Sequence, residues 1–464
     1  MKQTSVEFAP SLAIAPSQRV LTRRIEQSEG LARPAFAIAV AAVPLLAAVP
    51  LGSHRAIYWM IWTMIIATMI LTVLIATPPK ERFSMPGLVG LATAFLVFIV
   101  AQILPVGFLL GLERARISVD TGATVLGGLR WASYAGFFWL MCQVSQNRRH
   151  ARLMAWVLFG GIVVHAIWAL VAFRFLGDAA LWGQKLHYHG AVTGTFVNRN
   201  AYAVFLGFGM ILGLGLLAHD ALRADRDRRR MAVLLSPMGL WTATLWLCLG
   251  LLGMAMFGTA SRFGIFASLL AALFLVGALA AKHSGSGRFT AKVVVWWSAL
   301  VIGVFAVVGR PALERAIFTQ IDSQDRISLY IQTLELIRKN PIFGVGFDGF
   351  ETAFQSVHRT PLSPDLFWDR AHSTYLSLWA EMGLIAGSIP PMICALIAAT
   401  LLMRLFRAKR DFAFVIIALS AIALGGVHSL IDFSLEISAN VYVFLALVAL
   451  GVTSGAGMTT GGRS

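Results

Sequence analysis

The sequence predicts an all-α polytopic membrane protein with about twelve transmembrane helices and one large helical loop between helices 9 and 10. Three observations predict this fold class. Apolar residues make up 58% of the 464 residues, and charged residues make up only 13%, about half the share found in soluble domains. Twelve runs are apolar over close to the ~20 residues that a helix needs to cross a bilayer. Lysine and arginine are concentrated in alternate loops.

Each apolar run is predicted to be a helix, because lipid cannot satisfy open backbone polar groups. The tenth run contains Pro390-Pro391, which predicts a kink or break. Residues 1–34 and 458–464 flank the spans as polar segments, and 310–375 form the long loop. The predicted spans are 35–51, 56–76, 87–108, 122–142, 153–176, 201–218, 240–257, 264–281, 293–309, 376–403, 412–428 and 439–457.

The basic residues predict the orientation of the chain. With the N- and C-termini in the cytoplasm, the inside segments carry 23 of the 38 Lys and Arg residues, and the short outside loops carry 7. This asymmetry is the positive-inside pattern. It explains the net charge of +16 without nucleic-acid binding, and it places the long loop outside. The polar and basic first 34 residues predict no cleaved signal peptide.

The long outside loop is predicted to be structured. Residues 324–339 form an amphipathic helix that Asn340-Pro341 ends. Glycines within 344–349 indicate tight turns, and 349–357 form a second short helix. The apolar face of the first helix consists of Ile327, Ile331, Leu334 and Ile337.

Five polar residues on the outer side are candidate site residues: Arg199, Arg262, Arg326, His372 and Glu381. Taken singly, each has an ordinary explanation, such as an arginine that extends to lipid headgroups or a glutamate that pairs with an arginine. Taken together, they favour a function. Guanidinium groups match the oxygens of a phosphate or pyrophosphate, and a histidine takes a proton from an attacking hydroxyl. A hydrophobic bundle below them suits a substrate that is half lipid and half sugar.

No metal or cofactor is expected. The three cysteines lie in apolar runs, which indicates neither disulfides nor a cysteine-rich metal site. His187 and His189 have no carboxylate at ligand spacing, so they are weak evidence for a metal. No Asp-x-Asp motif occurs on the outer side, which argues against metal-assisted glycosyl transfer.

Four motifs follow one another along the chain. They are Gly194–Asn200, Ser261-Arg262, Asp325-Arg326 with Asn340–Gly346, and Ala371–Leu376 continuing through Glu381–Leu384. In this order they resemble the O-antigen ligase and O-antigen polymerase superfamily of bacterial envelope glycosyltransferases. The resemblance covers roughly 190–385, and the first five spans match only in hydropathy. Where that family often has Asn directly after the histidine, this chain has Ser373, which keeps hydrogen bonding and can cap a helix.

The resemblance implies a GT-C-like enzyme of the bacterial inner membrane. Such an enzyme takes a glycan from undecaprenyl pyrophosphate at the periplasmic face and passes it to a hydroxyl, with inversion and without a metal. Arg199 and Arg262 would hold the pyrophosphate. His372 would be the general base or would position the acceptor, and Arg326 would line the cavity within the catalytic loop 310–375. The same motifs contribute Asn198, Asn200 and Glu381 as substrate-binding candidates.

The acceptor stays open at this point. A ligase joins the glycan to lipid A-core, a polymerase joins it to a growing polysaccharide, and related enzymes glycosylate proteins. A twelve-span transporter is the alternative from another class. It is disfavoured because a major-facilitator transporter typically has two similar six-span halves and a long central cytoplasmic loop, whereas the long loop here is late and outside. Membrane lipids are the other expected partners.

Overall fold

The computed structural model describes residues 33–181, 183, 185, 187–224, 237–283, 292, 295, 296, 299, 322–364, 368–407 and 412–454. Their regular structure is helical, as predicted. The helices, named in chain order, are α1 Arg33–Ala48, α2 Ala56–Ala76, α3 Pro86–Ile103, α4 Thr121–Ser145, α5 Arg148–Phe175, α6 Arg199–Ala224, α7 Pro237–Gly258, α8 Arg262–His283, α9 Asp322–Lys339, α10 Phe350–Phe354, α11 Thr374–Gly387, α12 Ile389–Arg407, α13 Ala413–His428 and α14 Ser438–Thr453.

Within the described ranges, seven helices are long and apolar enough to cross a membrane: α2, α3, α5, α6, α7, α8 and α12. Three further predicted spans correspond to the shorter apolar helices α1, α13 and α14. The predicted fourth span, 122–142, is helix α4, which is 25 residues long but is not among the seven. The protein is thus an all-helical, multi-pass membrane protein. The count of twelve spans, the orientation and the domain limits stay predictions. The ninth span, 293–309, and the terminal segments 1–32 and 455–464 lie almost wholly outside the described residues.

Helix α6 lies at the centre of the bundle. Within its span 78% of the residues are buried, against 17% for α2 and α12. It packs against α5, α7, α8, α13 and α14. Large apolar side chains such as Phe205 and Phe208 are fully buried there. The N-terminus of α6 carries Arg199, so a deeply buried helix of the bundle presents one of the candidate residues.

The predicted tenth span is two helices. Helix α11 ends at Gly387 and α12 begins at Ile389, so Pro390-Pro391 occupy the first turn of α12. Proline fits there because the first N–H groups of a helix have no intrahelical acceptor. The break predicted from the prolines is confirmed. A second break at Gly383, with φ 73° and ψ 170°, had no proline to signal it.

Helix α9 forms as predicted, but only one of the four residues assigned to its apolar face is buried. Ile337 is buried, as are Leu329 and Leu336, whereas Ile327, Ile331 and Leu334 are 42%, 57% and 47% exposed. Polar side chains can lie on the buried side because they form hydrogen bonds there. Gln332 donates from Nε2 to the Arg359 carbonyl and accepts from the Arg359 N–H, at 2.9 and 3.0 Å. Apolar periodicity does not reveal a buried face that contains hydrogen-bonded polar residues.

The turn after α9 is bound tightly to the broken helix α11. Val345 N–H donates to Ala380 O at 3.0 Å, and Leu384 N–H donates to Pro341 O at 2.8 Å. Gly344 has φ +68°, and a Cβ added there would lie 2.2 Å from Glu381 O. The backbones approach so closely that only glycine fits, which explains why Gly344 follows the Asn340-Pro341 helix stop.

We predict that Gly344→Ala lowers the free energy of unfolding by about 2–4 kcal/mol, because a Cβ adds left-handed strain and overpacking. Thermal unfolding of the detergent-purified protein measures it. Gly90→Ala is the matched control, since an added Cβ at Gly90 in α3 meets no atom within 4 Å. Equal melting temperatures for the two variants would contradict the tight contact.

Candidate functional site

Two of the candidate arginines are the first residues of neighbouring helices. Arg199 begins α6 and Arg262 begins α8, and these helices pack side by side. Ser261 Oγ donates to Asn200 Oδ1 at 2.7 Å, which joins the two helix starts directly. Asn198 Oδ1 caps α6 by accepting from Asn200 N–H at 2.7 Å. Helix N-termini carry partial positive charge, so two such ends, each of which begins with an arginine, meet in one place.

Asp432 connects these helix starts to the rest of the site. It lies in the loop Ser429–Glu436 between α13 and α14 and is 2% exposed. Its Oδ2 accepts from Asn200 Nδ2 at 2.8 Å, and its Oδ1 accepts from Ser434 Oγ at 2.8 Å. Its carbonyl accepts from Thr374 Oγ1 at 3.4 Å. Asp432 therefore joins the start of α6 to the start of α11.

The same loop receives Arg326 and His372. Arg326 Nη1 donates to Ile431 O at 3.4 Å. The His372 ring lies edge-on to Phe433 with centroids 4.9 Å apart. The Tyr330 hydroxyl donates to His372 O at 2.9 Å, and burial raises the pKa of Tyr330, so this hydroxyl keeps its proton. Residues of three separate motifs thus meet around one loop.

Ser373 caps α11, the role expected from a serine at this place. Its Oγ accepts from Leu376 N–H at 3.5 Å, and the Thr374 N–H donates to Ser429 O at 3.0 Å. Serine in place of the family's asparagine therefore keeps the helix start that follows His372.

A second group of charges lies beside the first and is buried among several elements. Arg370 Nη1 is 2.8 Å from Glu436 Oε2, and Arg130 Nη2 is 2.5 Å from Asp348 Oδ1. Glu381 Oε2 accepts from Asp348 N–H at 2.9 Å. Burial raises the pKa of Glu436 although Arg370 opposes it. Burial alone would lower the pKa of Arg370, but Glu436 and Asp348 outweigh it, so the pKa rises.

Strained backbone occurs in four segments of the site, one of them at Asp348 of the second group, which has φ 63°. Tyr188, Ala260 and His372 have φ of 58°, 51° and 51°, in a region that residues with a side chain rarely adopt. Ala260 lies two residues before Arg262, and the Tyr188 ring lies 5.4 Å from the Arg199 guanidinium carbon. Such strain persists where the surroundings enforce it, and it clusters at functional sites.

The structure brings together most of the residues predicted from sequence. Arg326, His372, Asn200 and the neighbour of Arg262, Ser261, all lie at or next to the loop Ser429–Glu436. The side chains of Asn198 and Asn200 have protein partners, so they shape the site, and their predicted substrate contacts stay predictions. Glu381 is buried in the second group of charges instead. Arg130 of α4 forms an ion pair with Asp348 in the same group.

Sequence reasoning missed Asp432, Glu436, Asp348 and Arg370. One signal was present: the loop between the last two spans contains two acids and no Lys or Arg, in a chain of net charge +16. An acidic loop facing outer arginines is a candidate partner for them.

Residues 247–390 match the family model described as O-antigen ligase. The resemblance to the O-antigen ligase and polymerase superfamily is confirmed. The match contains Arg262, Arg326, His372 and Glu381, whereas Arg199 precedes it. No curated protein matches the chain.

This O-antigen ligase match supports an enzyme role of the ligase or polymerase type. It implies lipid-linked glycans and polysaccharides, in general, as substrates. The site geometry agrees with that class, since cationic helix starts and a histidine lie at one end of an apolar bundle.

We predict that Asp432→Ala lowers the free energy of unfolding by about 2–4 kcal/mol, because it leaves the buried donors of Asn200 and Ser434 unpaired. Asp432→Asn keeps one acceptor oxygen and should cost less. Thermal unfolding in detergent gives the order of stability. Asp369→Ala is the control, because the Asp369 side chain is 62% exposed. If Asp369→Ala lowered the free energy of unfolding as much as Asp432→Ala does, the loop would not be the junction described above.

Proposed function

We propose that the protein is an O-antigen ligase-like glycosyltransferase of the bacterial inner membrane. It transfers a glycan from undecaprenyl pyrophosphate to a hydroxyl of lipid A-core at the periplasmic face. Inversion and independence of metal follow from the family resemblance. The matching family model is described as O-antigen ligase, and an O-antigen or exopolysaccharide polymerase is the alternative.

One observation carries the proposal: Arg199 and Arg262 begin two helices whose starts are joined by the hydrogen bond from Ser261 to Asn200. Two N-terminal helix dipoles and two guanidinium groups suit a dianionic or more highly charged group. The Nε of Arg199 is buried, and no described residue accepts a hydrogen bond from it. Buried polar groups normally have partners, so a pyrophosphate oxygen is a fitting acceptor.

An apolar groove next to these helix starts suits the lipid tail. It is an open groove with a volume of about 580 Å³, and it lies between α5 and α7. Gly250 and Gly253 face it, and a Cβ added at either would meet no atom within 4 Å. From Gly250 to Gly258 the groove follows α7 for about 12 Å and ends four residues before Arg262. Its lining is Leu170, Phe173, Val192, Gly250, Gly253, Met254, Phe257 and Gly258.

The proposed reaction is an in-line displacement at the anomeric carbon. The acceptor oxygen forms a bond to that carbon while the bond to the pyrophosphate oxygen breaks. Negative charge grows on the leaving pyrophosphate, and the preorganised arginines stabilise it. The proton of the acceptor hydroxyl passes to His372, which can take it at neutral pH.

We predict that Arg262→Ala lowers the transfer rate more than His372→Ala. Losing a guanidinium that stabilises a phosphoryl leaving group costs about 10³-fold or more. Losing the base costs about 10²-fold, at the low end of general-base effects, because water can take the proton. Rates are measured with purified protein and a polyprenyl-pyrophosphate-linked glycan.

Arg116→Ala is the matched control, since Arg116 is an exposed arginine in the loop between α3 and α4. It should transfer at the wild-type rate. A wild-type rate for Arg262→Ala would refute the assignment of the pyrophosphate site.

A surface-polysaccharide gel of a deletion strain distinguishes ligase from polymerase. The strain is complemented with wild type and with His372→Ala. A ligase predicts the loss of every O-antigen band, including core plus one repeat unit, and recovery only with wild type. Retention of core plus one unit without a ladder would indicate the polymerase. Unchanged lipopolysaccharide with lost exopolysaccharide would indicate an exopolysaccharide polymerase.

A further inference from the structure

Arg370 lies two residues before His372 in the segment that leads into α11. Its side chain is 20% exposed, and its Nη1 is 2.8 Å from Glu436 Oε2 and 3.8 Å from Asp348 Oδ1. A guanidinium held between two carboxylates has a fixed orientation, since its planar donors match their oxygens. The chain just before His372 is therefore fixed by an ion pair to the loop Ser429–Glu436.

The ion pairs of Arg370 extend into the membrane bundle. Asp348 also binds Arg130 of α4 at 2.5 Å, and its N–H donates to Glu381 Oε2 of α11 at 2.9 Å. The cluster thus joins α4, the turn 344–349, the start of α11 and the loop that carries Asp432. A displacement of Arg370 would be resisted by all four elements.

The chain just after His372 is held by a different set of bonds. Tyr330 donates to the His372 carbonyl, and the Thr374 N–H donates to Ser429 O. His372 itself is in the left-handed region, with φ 51°. A strained residue keeps its conformation only when its surroundings enforce it. On the N-terminal side of His372, the ion pairs of Arg370 are one such restraint, beside the buried Ala371.

We infer that Arg370 is a positioning residue: its ion pairs with Glu436 and Asp348 hold His372 where it meets the acceptor hydroxyl. The inference rests on the proposed function. It differs from a purely stabilising role, because a positioning residue acts on the rate through His372 alone.

A double-mutant cycle tests this in purified full-length protein, with matched amounts of folded protein by gel filtration. The rates of wild type, Arg370→Ala, His372→Ala and the double variant are measured at saturating donor and acceptor. We expect Arg370→Ala to lower kcat by about 10- to 100-fold, as for a misplaced catalytic group. In the His372→Ala background the same change should alter kcat by no more than about 2-fold. Equal effects in both backgrounds would overturn the inference, as would full activity of Arg370→Ala.

Conservative variants keep the test decisive if Arg370→Ala does not fold. Arg370→Lys retains the charge and should recover part of kcat, and Glu436→Gln should lower kcat in the wild-type background only. Arg359→Ala is the matched control, because Arg359 pairs with Glu335 at 2.7 Å in the same loop without contacting the segment of His372. No transfer by wild type and by Arg359→Ala would overturn the proposed function and the inference with it. Transfer by both, with additive effects of Arg370 and His372, would overturn the inference alone.

Discussion

The site depends on one loop, Ser429–Glu436, to which each of its segments is attached. Asp432 binds the start of α6, and Glu436 binds the segment before His372. The carbonyls of Ser429 and Ile431 accept from the start of α11 and from Arg326. Buried polar groups must have partners, so this loop fixes where four distant parts of the chain meet. Through Asn200, which binds both Asp432 and Ser261, the loop is also connected to the helix starts that carry Arg199 and Arg262.

The glycine turn after α9 supplies a second fixed point. Its backbone bonds to α11, and Gly344 and Gly383 permit an approach that a Cβ would prevent. The break at Gly383 leaves backbone groups of α11 free to bind this turn. The segment from α9 to the start of α11 is therefore joined to the bundle in two ways. Backbone hydrogen bonds hold the turn after α9, and ion pairs hold Asp348 and Arg370. These contacts hold the surface beside the proposed reacting centre in place, which suits an enzyme whose substrate is a large glycan.

The sequence predicted the helices well, because a bilayer requires long apolar runs whose ends are visible in hydropathy. The family resemblance implied that Arg326 and His372 line one cavity, and both contact the loop Ser429–Glu436. The contacts that organise the site could not be predicted in the same way. Asp432 joins Asn200 across 232 positions, and no local pattern records such a pairing. The buried face of α9 was missed for a related reason, since Gln332 is buried by hydrogen bonds that form only in the fold.

The central claim is that this membrane site activates a glycan carried on a lipid pyrophosphate. The most direct measurement is glycan transfer by the purified protein in liposomes, given a polyprenyl-pyrophosphate-linked glycan and a lipid A-core acceptor, with no nucleotide sugar present. The account predicts a glycosylated acceptor with release of polyprenyl pyrophosphate in equal amount. Transfer that requires a nucleotide sugar, or uptake of a solute with no transfer, would contradict it.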